Sequence, residues 1–415
     1  MSDGTTAFLE ALAFRGGHNT AIVATGLTLL GAAGGLVGTF TLLRKRSLLA
    51  DAVGHATLPG IAGAFLLAPL VGLTGRELPL LLAGAVAAAA VALGAIDLLA
   101  RRRIAADAAM AVTLSVFFGV GAVLLSIVQE SERGEQAGLR SFLFGSAVGL
   151  GRGEATLVAA IAAAALAMSL VARRPLATLA FDDEFAGTVG LPIRKLDALL
   201  MALVLAVTIA GLQAVGLVLV IAVLVVPPVT ARLWAGRVPG MLAVAAIVGA
   251  ATGWIGTAFS TVAPRQPTGA ITVLVGGAIL VASLLFAPRG LIVASVRRLR
   301  DRVRIAADDL LRVAAEGRHT ELHIPPAIAT LARISLRIRG EATRRDGRLE
   351  LTERGRARAA SIQRNRELWS AYLTRHADLA RDHVDPSVER IEHVLDPSLV
   401  AALAREVDRR PEAMR

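Results

Sequence analysis

The chain has 415 residues, of which 55% are hydrophobic and 19% charged, and it carries a net charge of +11 without any cysteine. The missing cysteine excludes disulfides, zinc ribbons, iron–sulfur clusters and thiol catalysis. The charged residues are unevenly distributed, because residues 1–287 carry 32 of them and residues 288–415 carry 45. This division predicts a membrane domain followed by a soluble domain.

Apolar runs long enough to cross a bilayer occur at residues 20–43, 50–72, 78–99, 104–129, 153–172, 239–258 and 268–287. A further run, residues 196–231, would extend about 50 Å as one helix, against a hydrocarbon core of about 30 Å. Gly211 and Gly216 flank Gln213 within this run and offer a turn. Two crossings there predict an all-α bundle of about nine spans. Eight spans are the alternative, with the short segment 141–150 as a re-entrant helix.

Clusters of Arg and Lys at the ends of these runs predict the topology, because such clusters favour the cytoplasmic side. They lie at residues 44–46, 101–103, 173–174 with 194–195, and 232 with 237. All of them are cytoplasmic if the N-terminus is outside and the run 196–231 crosses twice. We therefore expect a multi-pass protein of the cell (plasma or inner) membrane with a cytoplasmic C-terminal domain.

The first candidate site is a pair of ionisable residues inside a span, where such groups are costly and usually functional. Asp51 and His55 are four residues apart and share a helix face. A carboxylate and an imidazole suit Mn, Fe or Zn. The alternative is a buried Asp–His contact that only stabilises the bundle. Pro59 and Gly60 follow, and we expect them to interrupt the helix and expose carbonyls to a cavity.

The second candidate is the loop 176–195, which has an acidic helix start and a Gly followed by Pro at the end of a short apolar face. This pattern fits a capped helix on which a soluble partner docks, or an ordinary loop helix. The two lysines, Lys45 and Lys195, both lie outside any phosphate-binding G-x-x-x-x-G-K-[ST] motif. We therefore predict that the chain is not an enzyme and that any ATP hydrolysis takes place in another subunit.

Several separated motifs keep the order and spacing of one family. They are residues 34–60, 142–146, 181–191, 213–220 and 227–233. Together they resemble the permeases of metal-type ABC importers, the zinc, manganese and iron uptake family, over roughly Phe8 to Pro288. One departure is Pro228, where that family usually has alanine.

The resemblance implies a homodimeric permease that works with a cytoplasmic ABC ATPase dimer and an extracellular solute-binding protein delivering Mn, Fe or Zn. It places Asp51 and His55 on the transport path. It also assigns ATPase coupling to seven loop residues: Phe181, Asp182, Asp183, Glu184, Ala186, Gly190 and Leu191. A secondary transporter is a weaker reading, because the spans show a single acid–imidazole pair and no proton relay.

The C-terminal part begins with a basic stretch, residues 289–304, that predicts a linker helix. In residues 305–415 we expect helices at 308–316 and 324–338, a charged hairpin at 341–353, a long helix at 356–376 and a final helical pair. This order predicts a small α+β domain similar to a winged helix.

The tail also resembles metal-dependent repressors of the diphtheria-toxin-repressor type. Glu389, Glu392 and His393 share a helix face, and two carboxylates with an imidazole favour Mn or Fe over Cu(I). They match metal-binding positions of that family. Other ligand positions align with Arg366 and Ser370, while Asp308 or Asp309 matches an acidic ligand position. The alternatives are an incomplete site, a vestigial site, or a site completed by His383 or Asp385. The implied role is a tail that senses metal and regulates gating.

The alternative function is a membrane-tethered, metal-responsive DNA-binding regulator. Nine arginines between Arg333 and Arg358 form a basic set that could bind phosphate. Arginines beside a bilayer also face anionic lipid. The tail balances 26 arginines with 19 acids, so we expect a regulatory or dimer-stabilising role rather than nucleic-acid binding.

Overall fold

The computed structural model describes residues 18–46, 48–73, 77–102, 104–130, 151–262, 268–316, 324–345, 348–376 and 400. The chain divides into two compact units, Met1–Leu291 and Ile292–Arg415. The predicted segments 141–150 and 142–146, and the final helical pair, lie outside the described residues.

The described part of the first unit is helical. Its helices are α1 His18–Leu43, α2 Leu49–Leu67, α3 Leu78–Arg101, α4 Ala106–Glu130, α5 Arg152–Val171, α6 Arg173–Phe181, α7 Asp183–Thr188, α8 Ile193–Val215, α9 Leu217–Trp234, α10 Val238–Val262 and α11 Thr268–Phe286. A short 3-10 helix, Ala68–Val71, follows α2.

Eight helical stretches of the described residues are long and apolar enough to cross a membrane, and a shorter apolar helix covers Val220–Trp234. The long run 196–231 is divided as predicted, with the break at Gly216 between α8 and α9. Gly216 has a φ of 84°, which glycine adopts without strain. The prediction of a multi-pass helical bundle is confirmed, at about eight spans.

Helix α1 lies at the centre of this bundle and contacts α5, α9 and α10. Its closest approach is to α10, where a Cβ added to Gly31 would lie 2.0 Å from the carbonyl oxygen of Gly249. The two backbones therefore touch directly at this point. Close approach at small residues suits helices in lipid, where apolar burial between helices provides little driving force.

The described part of the second unit consists of three helices and one hairpin. Its elements are α12 Leu291–Glu316, which begins at the last residue of the first unit, α13 Pro326–Ile338, β1 Ala342–Arg345, β2 Arg348–Leu351 and α14 Glu353–His376. The strands are antiparallel, with Ala342 opposite Leu351 and Arg345 opposite Arg348. The predicted order of helix, helix, hairpin and helix is present. Helix α12 continues through residues 304 and 305, where we had placed the end of the linker.

Candidate functional site

Asp51 and His55 lie on one face of the first two turns of α2. The Nε2 atom of His55 is 3.3 Å from Oδ1 of Asp51, and the side chains are 25% and 32% exposed, respectively. Asp51 is in the first helical turn, where the positive end of the helix dipole favours a carboxylate. The pair is therefore preformed, yet part of each side chain is open to an approaching ion.

Among the described residues, nothing forms a hydrogen bond with the other ring nitrogen of His55. Its Nδ1 atom is buried without a hydrogen bond, while the ring packs edge-on against Phe118 of α4 at a centroid distance of 5.2 Å. A buried imidazole nitrogen usually has a partner. Nδ1 is thus an unsatisfied buried atom on a ring whose Nε2 faces the Asp51 carboxylate.

Pro59 and Gly60 do not interrupt α2, so that prediction was wrong. The helix continues to Leu67 with Pro59 inside it. Gly60 is used for packing instead, because a Cβ at Gly60 would lie 2.1 Å from the carbonyl oxygen of Gly84 on α3. A Cβ at Gly121 of α4 would lie 3.0 Å from Pro59 Cδ. The packing that holds α2 against α3 and α4 occupies the space we had assigned to a cavity.

The pair supplies only two ligands from one chain. Among the described residues, no group of three or more His, Cys, Asp or Glu side chains could hold a metal ion. Transition metals bind through more ligands than two. Further ligands would have to be water, come from another chain, or come from residues outside the described part of this one.

The loop helix that we predicted at residues 176–195 is α7, and its ends are capped. The Asp182 carboxylate accepts a hydrogen bond of 2.8 Å from the Phe185 amide. At the other end the Leu191 amide donates to the Ala186 carbonyl over 3.0 Å, and Gly190 has a φ of 82°. These are the Asp N-cap and glycine C-terminal turn that rigidify short helices.

The outer surface of α7 and its flanks is apolar and acidic. Phe181, Phe185 and Val189 are 70%, 54% and 59% exposed, whereas Ala186 is fully buried. Asp182, Asp183 and Glu184 are also exposed. Large exposed apolar side chains on a rigid element mark interaction surfaces.

Arg44 joins this helix to two others, a contact that its place in the basic cluster 44–46 did not predict. Its guanidinium donates to the Leu179 carbonyl at 2.8 Å, to Asp183, and to both carboxylate oxygens of Asp197 at 2.9 and 3.1 Å. The side chain is only 7% exposed. Arg44 thus connects the end of α1 with α6, α7 and α8. The available signal was its place in the motif 34–60, five residues before α2 begins at Leu49 and seven residues before Asp51.

In the second unit, Arg358 also pairs with two carboxylates. Its guanidinium lies 2.6 Å from Asp308 on α12 and 3.0 Å from Glu341. Burial lowers the pKa of Arg358, but the hydrogen bond and charge of Asp308, reinforced by Glu341, raise the pKa above its ordinary value. The Asp308 carboxylate, which we had considered as a metal ligand, is therefore engaged by an arginine.

Most of the other candidate metal-ligand positions of the tail lie on α14 or beyond it in the chain. Arg366 lies on α14 and is half-buried, so a cation occupies this ligand position of the resembled family. Glu389, Glu392, His393, His383 and Asp385 lie outside the described residues.

Two family models match the chain. The one described as "ABC 3 transport family" matches residues 18–288, and the one described as "Iron dependent repressor, metal binding and dimerisation domain" matches residues 352–412. Both resemblances drawn from the motifs are thereby confirmed.

Two relatives and one solved structure extend this likeness. The manganese transport system membrane protein MntC of Bacillus subtilis (strain 168) is 34% identical over 389 residues, covering 89% of this chain and 88% of that protein. The zinc transport system membrane protein TroC of Treponema pallidum (strain Nichols) is 35% identical and covers 67% and 92%. A chain of PsaBC from Streptococcus pneumoniae in complex with Fab has a TM-score of 0.57 at 26% identity and covers 69% and 97%. Since its membrane part matches that family over residues 18–288, the chain belongs to the ABC 3 transport family and is a permease subunit of an ABC transporter.

Proposed function

We propose that the chain is the permease of an ATP-driven importer of a divalent transition metal, Mn, Fe or Zn. The observation that carries this proposal is the Asp51–His55 pair, with its unsatisfied Nδ1 atom and partly open side chains. The printed names of the manganese and zinc transport relatives support the class of cargo. One oxygen and one nitrogen donor suit these ions better than Mg or Cu(I).

The ion is held weakly enough to pass on. One chain provides two protein ligands, and a second copy of the permease would provide two more across a symmetric interface. A transport site has to release its ion, so incomplete coordination within each chain is compatible with transport. The Nε2 atom of His55, 3.3 Å from Oδ1 of Asp51, is the ring nitrogen placed to bind an ion together with that carboxylate.

The ATPase subunits dock on α7 in this proposal. The exposed Phe181, Phe185 and Val189 and the acidic start of the helix form the contact surface. Arg44 then transmits the movement of α7 to the end of α1 and, through the short turn that follows, to α2. ATP turnover biases an equilibrium between outward- and inward-open states, as alternating access requires.

The proposed partners are a cytoplasmic ABC ATPase dimer, an extracellular solute-binding protein and a second permease copy. The basic residues at the Arg44 end favour the cytoplasmic side. With the shorter helix α9 counted as a ninth crossing, the N-terminus is then outside and the C-terminal unit cytoplasmic.

The test is uptake by the complete transporter in vesicles, with Mn, Fe, Zn and Mg as competing ions. Asp51→Asn and His55→Gln should reduce uptake about 10- to 100-fold, the usual effect of weakening metal coordination. Asp97→Asn on α3 is the matched control, because Asp97 is also in a span but pairs with Arg101 at 2.7 Å. Uptake that is unchanged in the Asp51/His55 double variant would refute the transport site.

For the tail we propose metal sensing that regulates gating, with Glu389, Glu392 and His393 as ligands. The match over residues 352–412 supports it, because that family model describes metal binding and dimerisation. The DNA-binding alternative has less support, because Arg358 is held by two carboxylates.

Hydrogen exchange on the full chain tests this role. Mn or Fe should slow exchange in residues 352–412, and Glu389→Gln with Glu392→Gln should abolish that protection. Equal exchange rates with and without metal would refute the proposed sensor role. Retention of one DNA sequence over competitor DNA by the full chain would favour the alternative.

A further inference from the structure

A groove of about 680 Å³ opens between four helices of the first unit, α1, α5, α6 and α10, away from Asp51 and His55. Leu36 of α1 is fully buried at its floor, and Val238, Leu242 and Ala246 of α10 line one side. Arg173 and Arg174 lie at the start of α6 on the other side. The volume is in the range that binds small ligands.

The two arginines carry the charge of the groove. Both are exposed, and no carboxylate in the described part of the chain lines the groove with them. Among the described residues neither guanidinium has an ion pair or a side-chain hydrogen bond. Other arginines of this end, Arg44 and Arg289, are held by carboxylates or carbonyls. Two unpaired guanidiniums side by side favour an anionic group with several acceptor oxygens.

The rest of the groove is apolar and reaches into the bundle. From Val238 to Ala246 is eight residues of α10, or about 12 Å of helix. Leu36 likewise lies eight residues before Arg44 in the sequence. Arg44 in turn contacts α6 through the Leu179 carbonyl. The arginines thus mark the water-facing end, and the apolar wall extends from there to the depth of the hydrocarbon core.

We propose that this groove binds an anionic phospholipid. Arg173 and Arg174 hold the phosphodiester, and an acyl chain lies along Leu36, Leu242 and Ala246. A charged rim above an apolar wall at the end of transmembrane helices matches a lipid, which has both parts. Free phosphate would leave the apolar wall in water, and a soluble protein would not reach Ala246. The groove adjoins α6, so bound lipid would brace the segment that leads to α7.

The test measures lipid bound to the purified full-length permease by native mass spectrometry during titration with phosphatidylglycerol and phosphatidylcholine. We expect preferential binding of phosphatidylglycerol. Arg173→Gln with Arg174→Gln should weaken it about thirtyfold, since each arginine near an anionic lipid contributes about 1 kcal/mol. Arg194→Gln with Lys195→Gln is the matched control, because it removes the same charge from exposed residues outside the groove. The control should bind like the unchanged protein.

A second variant separates the acyl wall from the charge. Ala243 is exposed in the groove, so Ala243→Trp fills it without disturbing the helix contacts and should also reduce lipid binding. Equal lipid binding by the double arginine variant and its control would overturn the proposal. So would displacement by millimolar inorganic phosphate, which would identify a free-anion site. The chain has no cysteine, so Ala243→Cys is a clean probe, and its disulfide crosslinking to a second copy would assign the groove to a protein interface instead.

Discussion

Arg44 in the membrane unit and Arg358 in the tail each bridge two carboxylates, yet the surroundings of those carboxylates differ. The partners of Arg44 are open to water, with Asp183 60% and Asp197 24% exposed, while Arg44 itself is 7% exposed. The main partner of Arg358, Asp308, is 5% exposed. Loss of Arg44 leaves carboxylates that water can solvate, and loss of Arg358 leaves a buried charge. We infer that Arg44 positions helices and that Arg358 stabilises its unit.

The contacts that stabilise the interior of each unit also differ. Helices α1 and α10 touch through backbone at Gly31 and Gly249, whereas the tail has a small side-chain core that includes Leu311, Ala332 and Leu336. In lipid, apolar burial gives helices little driving force to associate, so close backbone packing contributes most to the stability of the membrane unit. Water supplies that driving force to the tail, where ion pairs then add specificity.

The largest effect is expected at the backbone contact. Gly31→Ala places a methyl group 2.0 Å from the Gly249 carbonyl oxygen, so α1 and α10 must separate. We expect a loss of about 3 kcal/mol or more, the upper range of overpacking. Thermal unfolding of the purified permease measures it. Gly94→Ala on α3 is the control, because its Cβ meets nothing within 4 Å. Equal stability of the two variants would show that this contact is not decisive.

The next effect is expected in the tail. Arg358→Ala should destabilise the second unit by about 2–3 kcal/mol, less than for a fully buried pair because Arg358 is 29% exposed and partly screened. Hydrogen exchange of α12 and α14 in the full chain measures it. Arg354→Ala removes a neighbouring exposed arginine and should change little. If Arg354→Ala loosens the unit as much as Arg358→Ala, net charge and not the Asp308 contact explains the loss.

The smallest effect on stability is expected for substitution of Arg44. Its effect should appear in transport instead. Arg44→Ala should leave unfolding nearly unchanged but reduce metal uptake per ATP about tenfold, because α7 loses its connection to α1 and α8. Arg44→Lys should recover only part, since a single ammonium nitrogen cannot replace two guanidinium nitrogens, one on Asp183 and the other on Asp197. The control is Lys45→Asn, an exposed cation whose φ of 57° asparagine tolerates. Normal coupling in Arg44→Ala would make this arginine merely structural.

Much of the candidate site was predictable because its signals are local. The four-residue spacing of Asp51 and His55 places them on one face of any helix, and the acidic start and Gly-Leu-Pro end of 181–192 define a short capped helix. The predicted interruption of α2 at Pro59 was wrong, because a proline in the sequence does not indicate whether neighbouring helices pack around it. Gly84 and Gly121 do so here, and they lie on other helices.

The sequence by itself determined the division into an apolar and a highly charged part, the position of the spans and the family, because hydropathy, charge clusters and motif spacing are properties of short segments. Only the tertiary structure decided which charges meet. Arg44 and Asp197 are 153 residues apart and Asp308 and Arg358 are 50 apart, and neither pairing follows from local pattern. Long-range contacts depend on how whole helices pack, and that packing depends here on glycines whose neighbours are distant in the chain.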